Sequence, residues 1–113
     1  MKLLFVENHA DFANIVVAKF LAAYEVVIVP SLAEAKRDLA LGSFDAVLVD
    51  YDLDDGKGTD LVRDLRDARN RVPLIGVSAK DECNAALLAA GADAAVSKMR
   101  FGEVASVLEN LLT

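Results

Sequence analysis

Short apolar runs alternate with longer amphipathic segments along the chain. Four runs are rich in aliphatic and β-branched residues, which predicts strands buried on both faces of a sheet. They cover Leu3–Val6, Val26–Val29, Ala46–Val49 and Leu74–Val77. A weaker fifth run covers Ala94–Ser97. The pattern therefore predicts five strands.

The segments between the strands carry apolar residues at helical spacing. Ser31 is placed to cap the second helix, with Glu34 three residues later as a capping box requires, and Gly91 ends the fourth. The predicted apolar stripes are Phe12, Ile15, Val16 and Phe20 in the first helix, Leu32, Ala35 and Leu39 in the second, Leu61, Val62 and Leu65 in the third, Leu87 and Leu88 in the fourth, and Phe101, Val104, Ala105, Leu108, Leu111 and Leu112 in the last.

Regular alternation of strands and helices predicts an α/β fold of the (βα)5 type, with right-handed crossovers and helices on both faces of a doubly wound, parallel, five-stranded sheet. No repeat, low-complexity tract or linker interrupts residues 1–113, so we expect one domain. In such open sheets, ligands bind beyond the carboxyl ends of the strands, where the winding reverses. The residues that follow the strands are therefore the candidates for chemistry.

Composition and charge narrow the function classes. The chain is 55% hydrophobic, which suits strands covered on both faces. No apolar run approaches the roughly 20 residues of a membrane span, and Met1–Val6 lacks the features of a signal peptide. With a single cysteine, Cys83, no intramolecular disulfide can form, and we expect a cytoplasmic protein. A net charge of −6 without a basic cluster argues against nucleic-acid binding.

Polar residues at the strand ends suggest phosphoryl transfer. Asp50 directly follows a buried strand and Glu7 ends the first, and such a pair repels unless a hard cation such as Mg²⁺ takes both carboxylates as ligands. Lys98 and Ser78 add a cation and a hydroxyl donor, while Gly58 is small enough to leave room for an incoming group. A carboxylate nucleophile, a metal and a lysine together can transfer a phosphoryl group.

This pattern resembles the response-regulator receiver family over essentially the whole chain. The family's motifs match Glu7-Asn8, Asp50 in Val-Leu-Val-Asp-Tyr-Asp-Leu, Gly58 eight residues later, Ser78 in Val-Ser-Ala-Lys, and Lys98 after Gly-Ala-Asp-Ala-Ala-Val-Ser. The resemblance implies a flavodoxin-like sheet of strand order 2-1-3-4-5. It also implies that Mg²⁺ binds to Glu7, Asn8, Asp50 and the backbone carbonyl of Asp52.

The resemblance further implies a signalling domain rather than an enzyme. Asp50 would accept a phosphoryl group from a histidine kinase or phosphotransfer domain in two-component signalling. The downstream partner would bind to a surface formed by the fourth helix, fifth strand and fifth helix. The resemblance is also compatible with a homodimer. The sequence does not identify the kinase, the output or the pathway, and it does not distinguish a free-standing receiver from part of a longer protein.

Several positions depart from the family pattern. Asn8 replaces a metal-binding aspartate, so Mg²⁺ affinity should fall. Met99 replaces a proline that follows a cis bond, and we expect a trans bond with a shifted loop or lysine. Ala95 stands where the family has an aromatic residue that rotates when the domain is activated. Without that residue, movement of the Ser78–Lys80 loop would have to carry any signal alone. His9 is expected to be a solvated residue at the start of the first helix, and loop residues Asp52, Asp54 and Asp55 are expected to face solvent.

Three alternatives to a phosphoacceptor differ in what they require of the sequence. A degenerate receiver could act as a phosphorylation-independent interaction module, which Asn8, Ala95 and Met99 favour and the retained Asp50, Ser78 and Lys98 oppose. A flavodoxin-like flavin binder would need a phosphate cradle after the first strand, where this chain is acidic. A haloacid-dehalogenase phosphatase would carry its Asp-x-Asp motif on the first strand of a larger chain.

Overall fold

The computed structural model describes residues 1–113 and contains all five predicted strands. Each strand differs from its predicted range by at most one residue. The strands are β1 (Lys2–Val6), β2 (Glu25–Val29), β3 (Ala46–Asp50), β4 (Leu74–Ser78) and β5 (Ala94–Ser97). The apolar runs therefore gave reliable strand positions, because a strand buried on both faces has little room for polar residues.

Five helices connect or follow the strands. They are α1 (Ala10–Phe20), α2 (Leu32–Leu41), α3 (Gly58–Asp67), α4 (Asp81–Ala90) and α5 (Val104–Leu112). A 3₁₀ segment, Lys98–Glu103, lies between β5 and α5. A two-stranded hairpin pairs Asp52–Leu53 with Gly56–Lys57 between β3 and α3, and the sequence pattern gave no sign of it.

The five long strands form one parallel sheet in the order β2-β1-β3-β4-β5. This confirms the predicted order 2-1-3-4-5 and the doubly wound topology. The winding reverses next to β1, and Val6 at the end of β1 pairs in register with Val49 of β3. The residues that follow these two strands therefore meet at the carboxyl edge of the sheet.

Each face of the sheet carries its own apolar core. Along β1, Leu3 and Phe5 face the core beneath α1 and α5, whereas Leu4 and Val6 face the core beneath α2, α3 and α4. All four side chains are fully buried. This alternation explains why the strands are apolar at nearly every position.

Three residues assigned to the helical stripes are exposed instead. Ile15 has 64% of its surface exposed, Leu88 has 44%, and Ala105 is exposed as well. The buried residues of α1 are Ala13 and Val16, and Phe12, Val17 and Phe20 pack against the same core while partly buried. The predicted stripes were too wide, because a residue next to a buried one is rotated by about 100° around the helix axis.

The start of α2 is held by two caps. Ser31 Oγ accepts a hydrogen bond from the Glu34 backbone N–H at 3.2 Å, which confirms the predicted N-cap. The Asp55 carboxylate accepts from the N–H groups of Leu32 at 2.7 Å and Ala33 at 3.1 Å. These bonds, led by that from Leu32, lower the pKa of Asp55. Asp55 is exposed, as expected, and it is also a capping residue that ties the β3–α3 loop to α2.

Candidate functional site

Two carboxylates lie side by side at the carboxyl edge of the sheet. Asp50 is the last residue of β3, and Glu7 directly follows β1. Only 4% of the Asp50 surface and 1% of the Glu7 surface are exposed. Carboxylate oxygens of the two residues lie within 4.8 Å of each other. Two buried negative charges this close together are unfavourable unless cations neutralise them.

Lys98 supplies one such cation. Its Nζ lies 2.7 Å from Glu7 Oε1 and 3.3 Å from Asp50 Oδ2, and it also sits 4.8 Å from the centre of the Phe12 ring. All peptide bonds are trans, as expected for the Lys98–Met99 bond. Lys98 reaches both carboxylates from the end of β5, and the expected shift of the loop or the lysine stays a prediction.

The electrostatics differ between the two carboxylates. Burial and the negative charge of Glu7 raise the pKa of Asp50 from 3.8 to about 6, although Lys98 partly offsets them. Burial also acts to raise the pKa of Glu7, but hydrogen bonds from Lys98 and His9 outweigh it and lower that pKa. Asp50 is therefore the first of the pair to take up a proton, and it is still mostly ionised at pH 7.

Asparagine in place of Asp50 should raise the free energy of unfolding by about 1–3 kcal/mol at pH 7.5, because a pKa shift of one unit corresponds to about 1.4 kcal/mol. The folded-state pKa of about 6 lies above the ordinary value of 3.8, so burying the charged group costs stability above pH 6. That cost declines as the pH falls through 6. Urea unfolding of both proteins with EDTA, between pH 5 and 8, measures the gain.

The stabilisation by Asp50→Asn should shrink steadily toward pH 5. Asp52→Asn is the matched control, because the exposed Asp52 carboxylate pairs with Lys57, which lowers its pKa. That control should leave stability unchanged or slightly reduced at pH 7.5. A gain that is equal at both ends of the pH range would contradict a titrating buried carboxylate.

Asn8, directly after Glu7, has a buried side-chain oxygen, Oδ1, with no hydrogen-bond partner. Its Nδ2 donates to Asp54 Oδ1 at 3.2 Å. Asp52 and Asp54 are exposed, as expected. Asp54 accepts the bond from Asn8, and the Asp52 carboxylate pairs with Lys57 on the surface.

The donors at this edge suit a divalent cation. Ligand atoms of Glu7, Asp50 and His9 all lie within 4.8 Å of one another. Buried carboxylate oxygens with an unpaired amide oxygen nearby form the kind of donor set that Mg²⁺ uses, and it commonly binds one or two carboxylates and keeps several waters. The residues present therefore fit the metal that the sequence suggested.

Ser78 ends β4, the strand next to Asp50. It is buried, and its Oγ accepts a hydrogen bond from the Lys80 N–H at 3.2 Å. Asn84, which is not among the residues predicted for the site, donates from Nδ2 to the carbonyl oxygens of Ser78 at 3.1 Å and Val96 at 3.4 Å. Asn84 thereby joins the ends of β4 and β5, and the only sequence sign of it is one amide within an alanine-rich helix.

Gly58 is required by the local backbone. A Cβ at this position would lie 1.9 Å from the Asp50 carbonyl oxygen, and the Gly58 N–H donates to the Tyr51 carbonyl at 2.7 Å. Its small size therefore allows the close approach of α3 to the end of β3, and the expected room for an incoming group stays a prediction.

Comparison with known families decides the assignment. The sequence model for the response regulator receiver domain matches residues 3–107. The chain belongs to this family. A comparison with curated proteins gives no match.

Solved receiver domains share the fold. The receiver domain of the response regulator TorR is 28% identical, with a TM-score of 0.86 over 98% of this chain and 95% of that one. The receiver domain of a sensor histidine kinase from Pseudomonas aeruginosa is 25% identical, with a TM-score of 0.87 over 98% and 96%, and holds a magnesium ion in its active-site cleft. TrrA from Thermotoga maritima, in complex with Mg²⁺ and BeF, is 20% identical, with a TM-score of 0.88 over 98% of each chain.

The receiver assignment confirms the resemblance noted from sequence and supports the phosphoacceptor function. Receiver domains are signalling domains that interact with histidine kinases and phosphotransfer partners. The phosphorylation-independent alternative gains no comparable support. No helix of this receiver is both long and apolar enough to cross a membrane.

Proposed function

We propose that residues 1–113 act as one cytoplasmic receiver domain that accepts a phosphoryl group on Asp50. The donor is a histidine kinase or a phosphotransfer domain. The observation that carries this proposal is the buried Asp50 carboxylate at the sheet edge, 3.3 Å from the ammonium group of Lys98. A buried carboxylate beside a lysine has both the nucleophile and the countercharge that phosphoryl transfer needs.

The proposed transfer uses atoms already in place. The Tyr51 N–H holds Asp50 Oδ1 at 2.8 Å, and Asp50 Oδ2 faces Lys98. An Asp50 oxygen attacks phosphorus as the bond from phosphorus to the donor nitrogen breaks, which leaves an acyl phosphate on Asp50. Lys98 balances the charge on the phosphoryl oxygens. Glu7, Asn8, Asp50 and the backbone carbonyl of Asp52 would hold Mg²⁺, which would supply further charge neutralisation.

Ser78 connects the phosphoryl group to the adjacent loop. Its hydroxyl accepts a bond from the Lys80 N–H, so its proton is free to be donated to a phosphoryl oxygen. A turn of the hydroxyl toward the phosphoryl group would weaken the Lys80 contact and release the loop before α4. With Ala95 in place of an aromatic residue, we propose that this loop movement carries the signal to the surface formed by α4, β5 and α5.

Labelling with acetyl phosphate in the presence of Mg²⁺ tests the function. The wild type should gain one phosphoryl group by intact-mass measurement, and Asp50→Asn should gain none. Asp52→Asn is the matched control, because this carboxylate lies two residues away but is exposed. An unlabelled wild type, or equal labelling of Asp50→Asn, would sink the proposal and leave the phosphorylation-independent interaction module as the better account.

Aspartate in place of Asn8 should tighten Mg²⁺ binding about tenfold, a gain of about 1.4 kcal/mol, because it restores an anionic ligand beside Glu7 and Asp50. Calorimetric titration of both proteins with Mg²⁺ measures the change. Asn14→Asp is the control, because it adds the same charge at an exposed position on α1. If Asn14→Asp tightened binding as much, the effect would come from net charge rather than from coordination at position 8.

A further inference from the structure

Asn84 and Leu87 are the two buried residues of α4, and only Asn84 is polar. Its surface is 8% exposed. Its Nδ2 donates to the carbonyl oxygens of Ser78 in β4 and Val96 in β5, whereas its Oδ1 is buried and has no hydrogen-bond partner. A buried amide that is only half satisfied needs an explanation, because the unpaired oxygen costs free energy in the folded state.

The same residue is bound to both ends of the loop before α4. Its side chain binds the Ser78 carbonyl, and its backbone N–H donates to the Lys80 carbonyl at 3.1 Å. The Lys80 N–H in turn donates to Ser78 Oγ at 3.2 Å. A turn of the Ser78 hydroxyl toward a phosphoryl group would weaken the bond from Lys80, so it would act on a loop that Asn84 holds at each end.

Little else holds the first turns of α4. The residue that precedes the helix is Lys80, and its side chain makes no capping hydrogen bond. Ala85 and Ala89 are exposed, so Leu87 is the only large apolar side chain that the helix buries. Small side chains remove little apolar area from water. The position of α4 therefore depends strongly on the polar contact made by Asn84.

We propose that Asn84 is a positioning residue that holds α4 against β4 and β5 in the unphosphorylated domain and releases it when the Ser78–Lys80 loop moves. The unpaired Oδ1 makes the held position less stable than a fully bonded one, which keeps the difference between the two positions small. A ligand can shift such an equilibrium only by its differential affinity for the two positions. The inference rests on the proposed phosphoacceptor function for its trigger.

Binding of beryllofluoride with Mg²⁺, a mimic of the phosphoryl group on Asp50, measures the holding contact. A contact that exists only in the unbound state opposes the mimic, so Asn84→Leu should tighten beryllofluoride binding about tenfold, which corresponds to about 1.4 kcal/mol. Leucine keeps the size of the side chain and removes both donors. Asn84→Ala removes the donors without adding bulk and should act in the same direction. Both affinities are measured by ¹H–¹⁵N NMR titration.

Asn110→Leu is the matched control, because it replaces an exposed amide on α5. It should leave beryllofluoride affinity unchanged. A purely structural contact, made equally in both positions of α4, would also leave the affinity unchanged in Asn84→Leu. Unchanged affinity in Asn84→Leu and Asn84→Ala would therefore overturn the proposal.

Amide signals of α4 and β5 give a second measurement in the unphosphorylated protein. In Asn84→Leu they should be displaced from their wild-type positions toward those of the wild type with beryllofluoride, because the released position becomes more populated. Displacements in other directions, or only at residues next to position 84, would show a local packing change and contradict the proposal.

Failure of the phosphoacceptor function gives a different result. A wild type that acetyl phosphate does not label and that does not bind beryllofluoride would lose that function, and the trigger for releasing α4 with it. A labelled wild type whose beryllofluoride affinity equals that of both Asn84 variants would keep the function and contradict only the role of Asn84.

Discussion

Replacing Lys98 by methionine is expected to lower the free energy of unfolding by about 3–5 kcal/mol at pH 7.5, the usual cost of removing one partner from a buried ion pair. Methionine keeps much of the aliphatic stem but leaves Glu7 and Asp50 buried without their lysine. The pKa of Asp50 should then rise further above its ordinary value, since Lys98 acts to lower it. The loss should therefore shrink as the pH falls, because protonation removes the uncompensated charge.

Urea unfolding with EDTA between pH 5 and 8 measures this loss. The control Lys57→Met removes a lysine that pairs with Asp52 on the surface, where both side chains are more than half exposed. It should cost no more than about 1 kcal/mol. Adding Asp50→Asn to Lys98→Met should restore part of the stability. A double variant no more stable than Lys98→Met would mean that packing, not charge, explains the loss.

The fold was largely predictable because its strands are buried on both sides. In β3, Val47 and Val49 face one core and Ala46 and Leu48 the other, so every position must be apolar. When apolar strands alternate with helices along a chain, few sheet topologies are possible, because the connections between parallel strands are right-handed. The confirmed strand order follows from that restriction together with the family resemblance.

Helix faces and caps were less predictable for a physical reason. A helix turns by about 100° per residue, so Ile15 and Val16 have similar hydrophobicity but different surroundings. Which of them is buried depends on how α1 sits on the sheet. The capping role of Asp55 likewise depends on a loop that brings it to α2, which lies 22 to 23 residues earlier in the sequence. No local pattern encodes such a contact.

The site was predictable in its members but not in its geometry. Asp50, Glu7 and Lys98 meet because parallel strands end at the same edge, and the sequence positions alone imply this. Contacts with two buried carboxylates favour the observed position of Lys98, and sequence spacing does not show which of their oxygens it reaches. The contact between His9 and Glu7 depends on side-chain rotamers, which sequence spacing does not fix.

Alanine in place of Gly58 is expected to lower the free energy of unfolding by about 3 kcal/mol, the upper part of the usual range for an overpacked site. The added Cβ would lie 1.9 Å from the Asp50 carbonyl oxygen and 3.0 Å from Val49 Cγ2. The carbonyl belongs to the backbone and cannot rotate away as a side chain can. Either α3 or the end of β3 must therefore move.

Gly42→Ala is the matched control for Gly58→Ala. Gly42 ends α2 with an extended backbone, φ −149°, and the nearest atom to an added Cβ is 3.9 Å away. That variant should be neutral or gain about 0.4–1 kcal/mol, because alanine restricts the unfolded chain. Urea unfolding compares the two, and equal effects would show that loss of glycine flexibility, rather than the clash, matters at position 58.

Acetyl phosphate labelling at a temperature where both variants stay folded separates the site from the fold. In Gly58→Ala, the displaced backbone belongs to Asp50 itself, and the Tyr51 carbonyl that Gly58 binds is the next peptide group. Labelling should therefore slow in the folded fraction of Gly58→Ala and stay normal in Gly42→Ala. Normal labelling in both would mean that α3 moves while Asp50 keeps its place beside Lys98. If α3 moves, Gly58 serves stability alone. If the Asp50 backbone moves, Gly58 also positions the phosphoacceptor.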